Sequence, residues 1–206
     1  MAKGSAFERE FCKDLSLWWT YGEREDVFWR SSNSGGRATV RASVGKTTAG
    51  QHGDVAAIDE IGIPFLQLVT IELKRGYSKN TIQDVFDKKS HAAQQQWEKF
   101  YEQTVRSGLN AGSKSWLMIH RRDQRDPLVF MPSSFYQVLD LAGCFIVEPS
   151  PLVNFTAPLR LSDKEKNSKD DLRISSHPEI TMMRWEDFKE GTTPIKLQNI
   201  LEELNQ

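Results

Sequence analysis

Cysteine is nearly absent from this 206-residue chain. The two that occur, Cys12 and Cys144, stand in unrelated settings, which argues against a disulfide framework and a cysteine zinc site. No apolar run approaches the roughly 20 residues of a membrane-spanning helix. The opening segment MAKGSAFERE lacks the hydrophobic stretch of a secretory signal, so a reducing cytoplasmic location is expected. Net charge is small, −1 at pH 7, and bulk charge alone marks no nucleic-acid binder. His52, His91, His120 and His177 lack metal-ligand spacing. VGKTT, at 44–48, looks like the tail of a phosphate-binding loop, but Val40 stands where that loop needs its first glycine. Internal repeats are also missing.

The charge that is present is unevenly placed. Residues 30–52 carry Arg30, Arg37, Arg41 and Lys46 without one acid. Lys74, Arg75 and Lys79 follow one apolar run, and Arg121, Arg122 and Arg125 follow another. Such local patches can track a phosphate backbone on a chain that is neutral overall.

Phe7, Phe11, Leu15, Trp18 and Trp19 recur at three- and four-residue spacing and predict an amphipathic helix. A short strand is expected at DVFWRS, followed by a long basic Gly/Ser loop of the kind that is usually functional or disordered. Next, DVAAI and FLQLVTIELK read as the two strands of a hairpin turning at DEIGIP. SHAAQQQWEKFYEQTVRSG predicts a helix ending near Gly108. SWLMIH and LVFMP read as strands around the turn RRDQRDP, SSFYQVLDLAG as a short helix and CFIVEP as an extended piece. Residues 161–177 are polar and read as a mobile loop. EITMMRW and IKLQNILEEL close the chain as strand and helix. Strands interleaved with helices imply an α/β sheet with helices on its faces. The six tryptophans are read as core rather than as a stacking platform for bases.

Asp54, Glu72 and Lys74 form the central set. Alternation along a strand sends Glu72 and Lys74 to one side. If the hairpin forms, Asp54 comes to the same sheet end. Two carboxylates there suit Mg²⁺, which takes carboxylate, water and phosphate oxygens. A neighbouring amine could touch a scissile phosphate or the attacking water. The bland alternative is a surface Glu–Lys pair with Asp54 in a turn. Ser5-Ala6-Phe7-Glu8 likewise fits a capping box, although Glu8 shares the helix face of Phe11, Cys12 and Leu15. In a helix running through the glutamines, Gln94 falls in the stripe of Trp97, Tyr101 and Val105, with Gln96 as the reserve.

GD, a hairpin and ELK together resemble the PD-(D/E)XK nuclease superfamily. KGSAFEREF is similar to the opening helix of archaeal-type Holliday junction resolvases, and RSSNSGGR to their serine-bearing flexible loop. The resemblance covers about residues 3–110. Gly53 stands where proline is usual, and the chain runs much further past Gly108 than a minimal resolvase.

The resemblance implies a restriction-endonuclease-like central mixed β-sheet flanked by helices, in one nuclease domain. It implies Glu8, Asp54 and Glu72 as metal-associated acids, and Lys74 as base or phosphate contact. A helix glutamine, here Gln94, would orient the site. Arg30, Ser31, Arg37, Arg41, Lys46 and Arg75 would meet DNA. The implied cofactor is Mg²⁺, with Mn²⁺ able to substitute. The implied enzyme is a homodimeric endonuclease cutting branched DNA. Restriction or repair cleavage of duplex DNA, and a non-catalytic nucleic-acid-binding module on the same fold, are the alternatives.

Overall fold

A computed structural model describes residues 3–31, 52–76, 81–89, 91–159 and 179–206. The basic loop with Arg37, Arg41 and Lys46, together with the polar segment 161–177, lies outside the described residues.

Helix α1 (Lys3–Trp19) forms where the apolar spacing predicts it. Its stripe of Phe7, Phe11, Leu15 and Trp19 is almost fully buried. Strands β1 (Phe28–Arg30) and β2 (Val55–Ala57) pair antiparallel, with Trp29 opposite Ala56. Helix α2 (Ile63–Leu68) then leads into strand β3 (Val69–Arg75).

The expected hairpin is therefore corrected: β2 has β1 as its ladder partner, and residues 65–68 are helical. Pro64 explains the error. It sits in the first turn of α2, where its fixed φ and missing N–H favour a helix start as much as a turn. What survives of the hairpin is one backbone bond, from Asp54 N–H to the Ile71 carbonyl at 2.8 Å.

Two helices, α3 (Gln83–Phe86) and α4 (Gln96–Ala111), carry the chain from β3 to β4 (Ser115–Arg121). The two strands run parallel, with Glu72 beside Met118 and Lys74 beside His120. Then come β5 (Leu128–Pro132), α5 (Ser133–Leu141), β6 (Val153–Thr156), β7 (Glu179–Arg184), α6 (Trp185–Gly191) and α7 (Pro194–Glu203). The five-stranded sheet has the order β3-β4-β5-β7-β6 and is antiparallel after its first pair. This is the mixed sheet flanked by helices that the resemblance implies.

Further differences are local. Gln95, with Glu98 in a capping box, starts α4 later than expected. The helix also runs past the buried Gly108, to end at Gly112 in the left-handed conformation (φ 69°). Residues 144–149 form no strand, and Ile146 and Val147 stand exposed. Strand β6 and helix α6 were not anticipated.

The sheet separates two cores. Val69, Ile71 and Leu73 join the one that contains α1, with Leu117 and Ile119 from β4. Trp116 and Met118 face α4 and pack with Trp97, Tyr101 and Val105. Period-two alternation therefore commits Thr70, Glu72 and Lys74 to the side away from the α1 core. All three are buried.

Candidate active site

Glu72 and Lys74 meet as the alternation requires. Lys74 Nζ lies 2.7 Å from Glu72 Oε2, and their side chains are only 9% and 3% exposed. A lysine buried this deeply needs its charge compensated. Lys74 also donates to Gln103 Oε1 at 3.0 Å and stands over the Phe100 ring. Glu72 Oε2 receives a second bond from Gln103 Nε2 at 3.0 Å, and Oε1 receives Ser107 Oγ at 2.6 Å.

The glutamine that meets the Glu72–Lys74 pair is thus Gln103. Gln94 lies ahead of α4, so its assignment by helical phase fails, and Gln96 is the first helical residue. Gln94 Nε2 is buried without a partner among the described residues. The missed signal is the spacing of Gln103 and Ser107, four residues apart and hence on one helix face.

Asp54 reaches this pair through β3. Its Oδ2 accepts the Leu73 N–H at 2.8 Å, while its own N–H bonds Ile71. Ser31 holds the preceding turn, its Oγ donating to the Gly53 carbonyl at 2.6 Å and its N–H to the Asp54 carbonyl at 2.9 Å. Burial, and then the nearby charge of Glu72, raise the Asp54 carboxyl from 3.8 to about 7, with Glu8 adding to the effect. Lys74 and the Leu73 amide act in the opposite direction.

Glu8 comes to the same region from α1 and pairs with Arg30, Nε to Oε2 at 2.8 Å. Ser5 lies inside α1 and accepts from Arg30 Nη1 at 3.3 Å, so the capping box does not form. Beneath the acids, the buried Cys12 thiol is pushed up to about 12 by its burial and by Glu8 and Asp54. Arg75 lies 3.9 Å from Asp123 and over the Phe7 ring.

Among the described residues, no three His, Cys, Asp or Glu side chains are gathered as a ready metal cage. Asp54 beside Glu72 is nonetheless a two-carboxylate set whose mutual repulsion a divalent cation would relieve. Carboxylates that await further oxygens from water and phosphate are typical of Mg²⁺ sites.

No helix among the described residues is long and apolar enough to cross a membrane. Comparison with curated proteins and with solved structures gives no match. A family model described as "Phage putative PDDEXK endonuclease" matches residues 1–146, which include every residue of the cluster above. The acid on the β2 approach, the E-x-K at the end of β3 and the flanked mixed sheet agree with that match: the chain belongs to this family of PD-(D/E)XK endonucleases.

Proposed function

We propose that this chain is a Mg²⁺-dependent endodeoxyribonuclease that hydrolyses phosphodiester bonds at the end of β3. The observation that carries the reading is the buried Glu72–Lys74 pair at the end of β3, with the Asp54 carboxylate tied to the Leu73 amide beside it. Asp54 and Glu72 would hold the cation, with Glu8 as a further acid once Arg30 releases it. The bound ion would lower the pKa of a coordinated water and offset negative charge on phosphorus.

The chain's own groups do the rest. Lys74 supplies a fixed positive charge at the reacting phosphate, or takes the proton of the attacking water. Gln103 bridges Lys74 and Glu72 and keeps the ammonium from swinging away. Arg30 is a candidate phosphate ligand because its present partner, Glu8, is an acid that a phosphate can replace. Arg37, Arg41 and Lys46 would add sequence-independent attraction to the DNA backbone.

Branched DNA is the substrate to test first, because the opening segment with Glu8 resembles that of the archaeal-type resolvases. Two symmetric cuts in a junction would need a homodimer. The test compares four-way junction, linear duplex and closed circular DNA in Mg²⁺ and in EDTA. Metal-dependent cutting that disappears in Glu72→Gln and Lys74→Ala is expected, with the junction cut fastest. DNA binding without cleavage, unchanged by Lys74→Ala, would sink the nuclease reading in favour of a binding module. Equal cutting of duplex and junction would favour a restriction- or repair-type activity.

A further inference from the structure

Helix α4 lays two side chains against Glu72, one turn apart, and they do different things. Gln103 shares Oε2 with Lys74. A carboxylate oxygen has two lone pairs, so Oε2 is saturated. Ser107 donates alone to Oε1, which leaves one lone pair of that oxygen open. Asp54 is arranged likewise: Oδ2 is held by the Leu73 N–H, and Oδ1 accepts no bond among the described residues.

We propose that Ser107 is a positioning residue for divalent-cation binding: its hydroxyl fixes Glu72 so that Oε1 is the oxygen offered to the ion, while Oε2 is kept for Lys74 and Gln103. The inference rests on the nuclease reading and deepens it. A hydroxyl inside a helix ordinarily bonds back to the carbonyl four residues earlier. Thr104 does so here, donating to the Phe100 carbonyl at 2.8 Å. Ser107, three residues further on, instead donates across to β3, at the short distance expected of a hydroxyl on a charged oxygen. Without that bond, only the contacts on Oε2 restrain the carboxylate about its last torsion, and the ion must fix the direction of Oε1 itself. Partners that orient a ligating carboxylate in this way contribute measurably to metal affinity.

The test is Mn²⁺ binding to the full, metal-free chain without DNA, followed by the electron paramagnetic resonance signal of free Mn²⁺. Ser107→Ala is expected to weaken binding about tenfold, with Ser107→Thr staying near the wild type. Ser107→Val has the shape of the threonine variant without its hydroxyl and should weaken binding like the alanine variant. The Thr and Val pair also decides the matter if the alanine variant fails to fold. Equal affinity in Thr and Val variants overturns the proposal. Tighter binding on loss of the hydroxyl overturns it too, because Ser107 would then compete with the ion. A wild-type chain that binds no Mn²⁺ sinks both this inference and the metal-dependent reading. One that binds Mn²⁺ but cuts no DNA counts against the nuclease reading alone.

Discussion

A Cβ placed on Gly53 would stand 2.7 Å from the Ile71 carbonyl oxygen, on a backbone at φ +91°. This close approach lets Asp54 bond β3 through both its N–H and its carboxylate. Gly53→Ala should cost more than about 1 kcal/mol, because the backbone must move as well as strain. Proline, the usual residue of the superfamily motif here, cannot adopt a positive φ and should do worse. Thermal denaturation and cleavage rates would check both variants. A Gly53→Pro protein with wild-type melting would show that the turn is not needed.

Asp54 makes the metal-free protein sensitive to pH. Its folded-state pKa, about 7, lies above the ordinary 3.8, so the native state holds the proton more tightly than the unfolded chain. The sign follows: this contribution is fully present below about pH 4 and is lost as pH rises through about 7. Asp54→Asn removes the dependence and keeps an oxygen for the Leu73 amide. In EDTA, the variant should therefore gain stability over wild type between about pH 5 and about pH 8, as denaturant melts would show. A difference that stays flat over that range would refute the assignment.

Lys74→Ala strands a carboxylate that is 2% exposed with only neutral donors, Gln103 and Ser107. Removing one member of a buried pair typically costs about 3–5 kcal/mol. Cleavage should fall by at least about 10²-fold, the scale of losing one charge-stabilising donor. Glu72→Gln keeps the shape but strands the buried Lys74 ammonium in its turn, so it should cost a comparable amount of stability while also abolishing metal-dependent cleavage. If both variants cut DNA normally, the active site lies elsewhere.

Glu8 and Arg30 should be energetically coupled only while no substrate competes. Their side chains are partly buried, at 15% and 27% exposure. A double-mutant cycle with Glu8→Gln and Arg30→Met should give about 0.5–3 kcal/mol in the free protein. The coupling should shrink when DNA and Mg²⁺ are bound, because Arg30 then has a phosphate to meet. Coupling that is unchanged by DNA would make the pair purely structural.

Gln103 illustrates what could not be read locally. Its distance from Gln94 along the chain is plain, but where α4 begins depends on the Gln95 cap and on a loop that helical phase ignores. Counting at 100° per residue from outside the helix therefore points to Gln94, whereas the glutamine in contact with Glu72 and Lys74 is Gln103. Residues 65–68 failed for a related reason: a short apolar run fits helix and strand alike, and Pro64 reads as turn or as helix start. Glu8 was legible as an acid on the inner side of α1, but its Arg30 partner was not, since the two are 22 residues apart in unrelated elements.

By itself, the sequence determined the properties confined to one element. The spacing of α1 settled its buried stripe, and alternation along β3 put Glu72 and Lys74 on one side, away from Ile71 and Leu73. Side-chain periods are set by the local backbone, so no distant contact is needed to read them. The tertiary structure alone decided that β2 pairs β1 rather than β3. It also decided that Asp54 is tied to β3 by its own backbone and carboxylate, and that Gln103 and Ser107 divide the oxygens of Glu72. Those choices depend on which surfaces bury one another, and that is settled only when the whole chain packs.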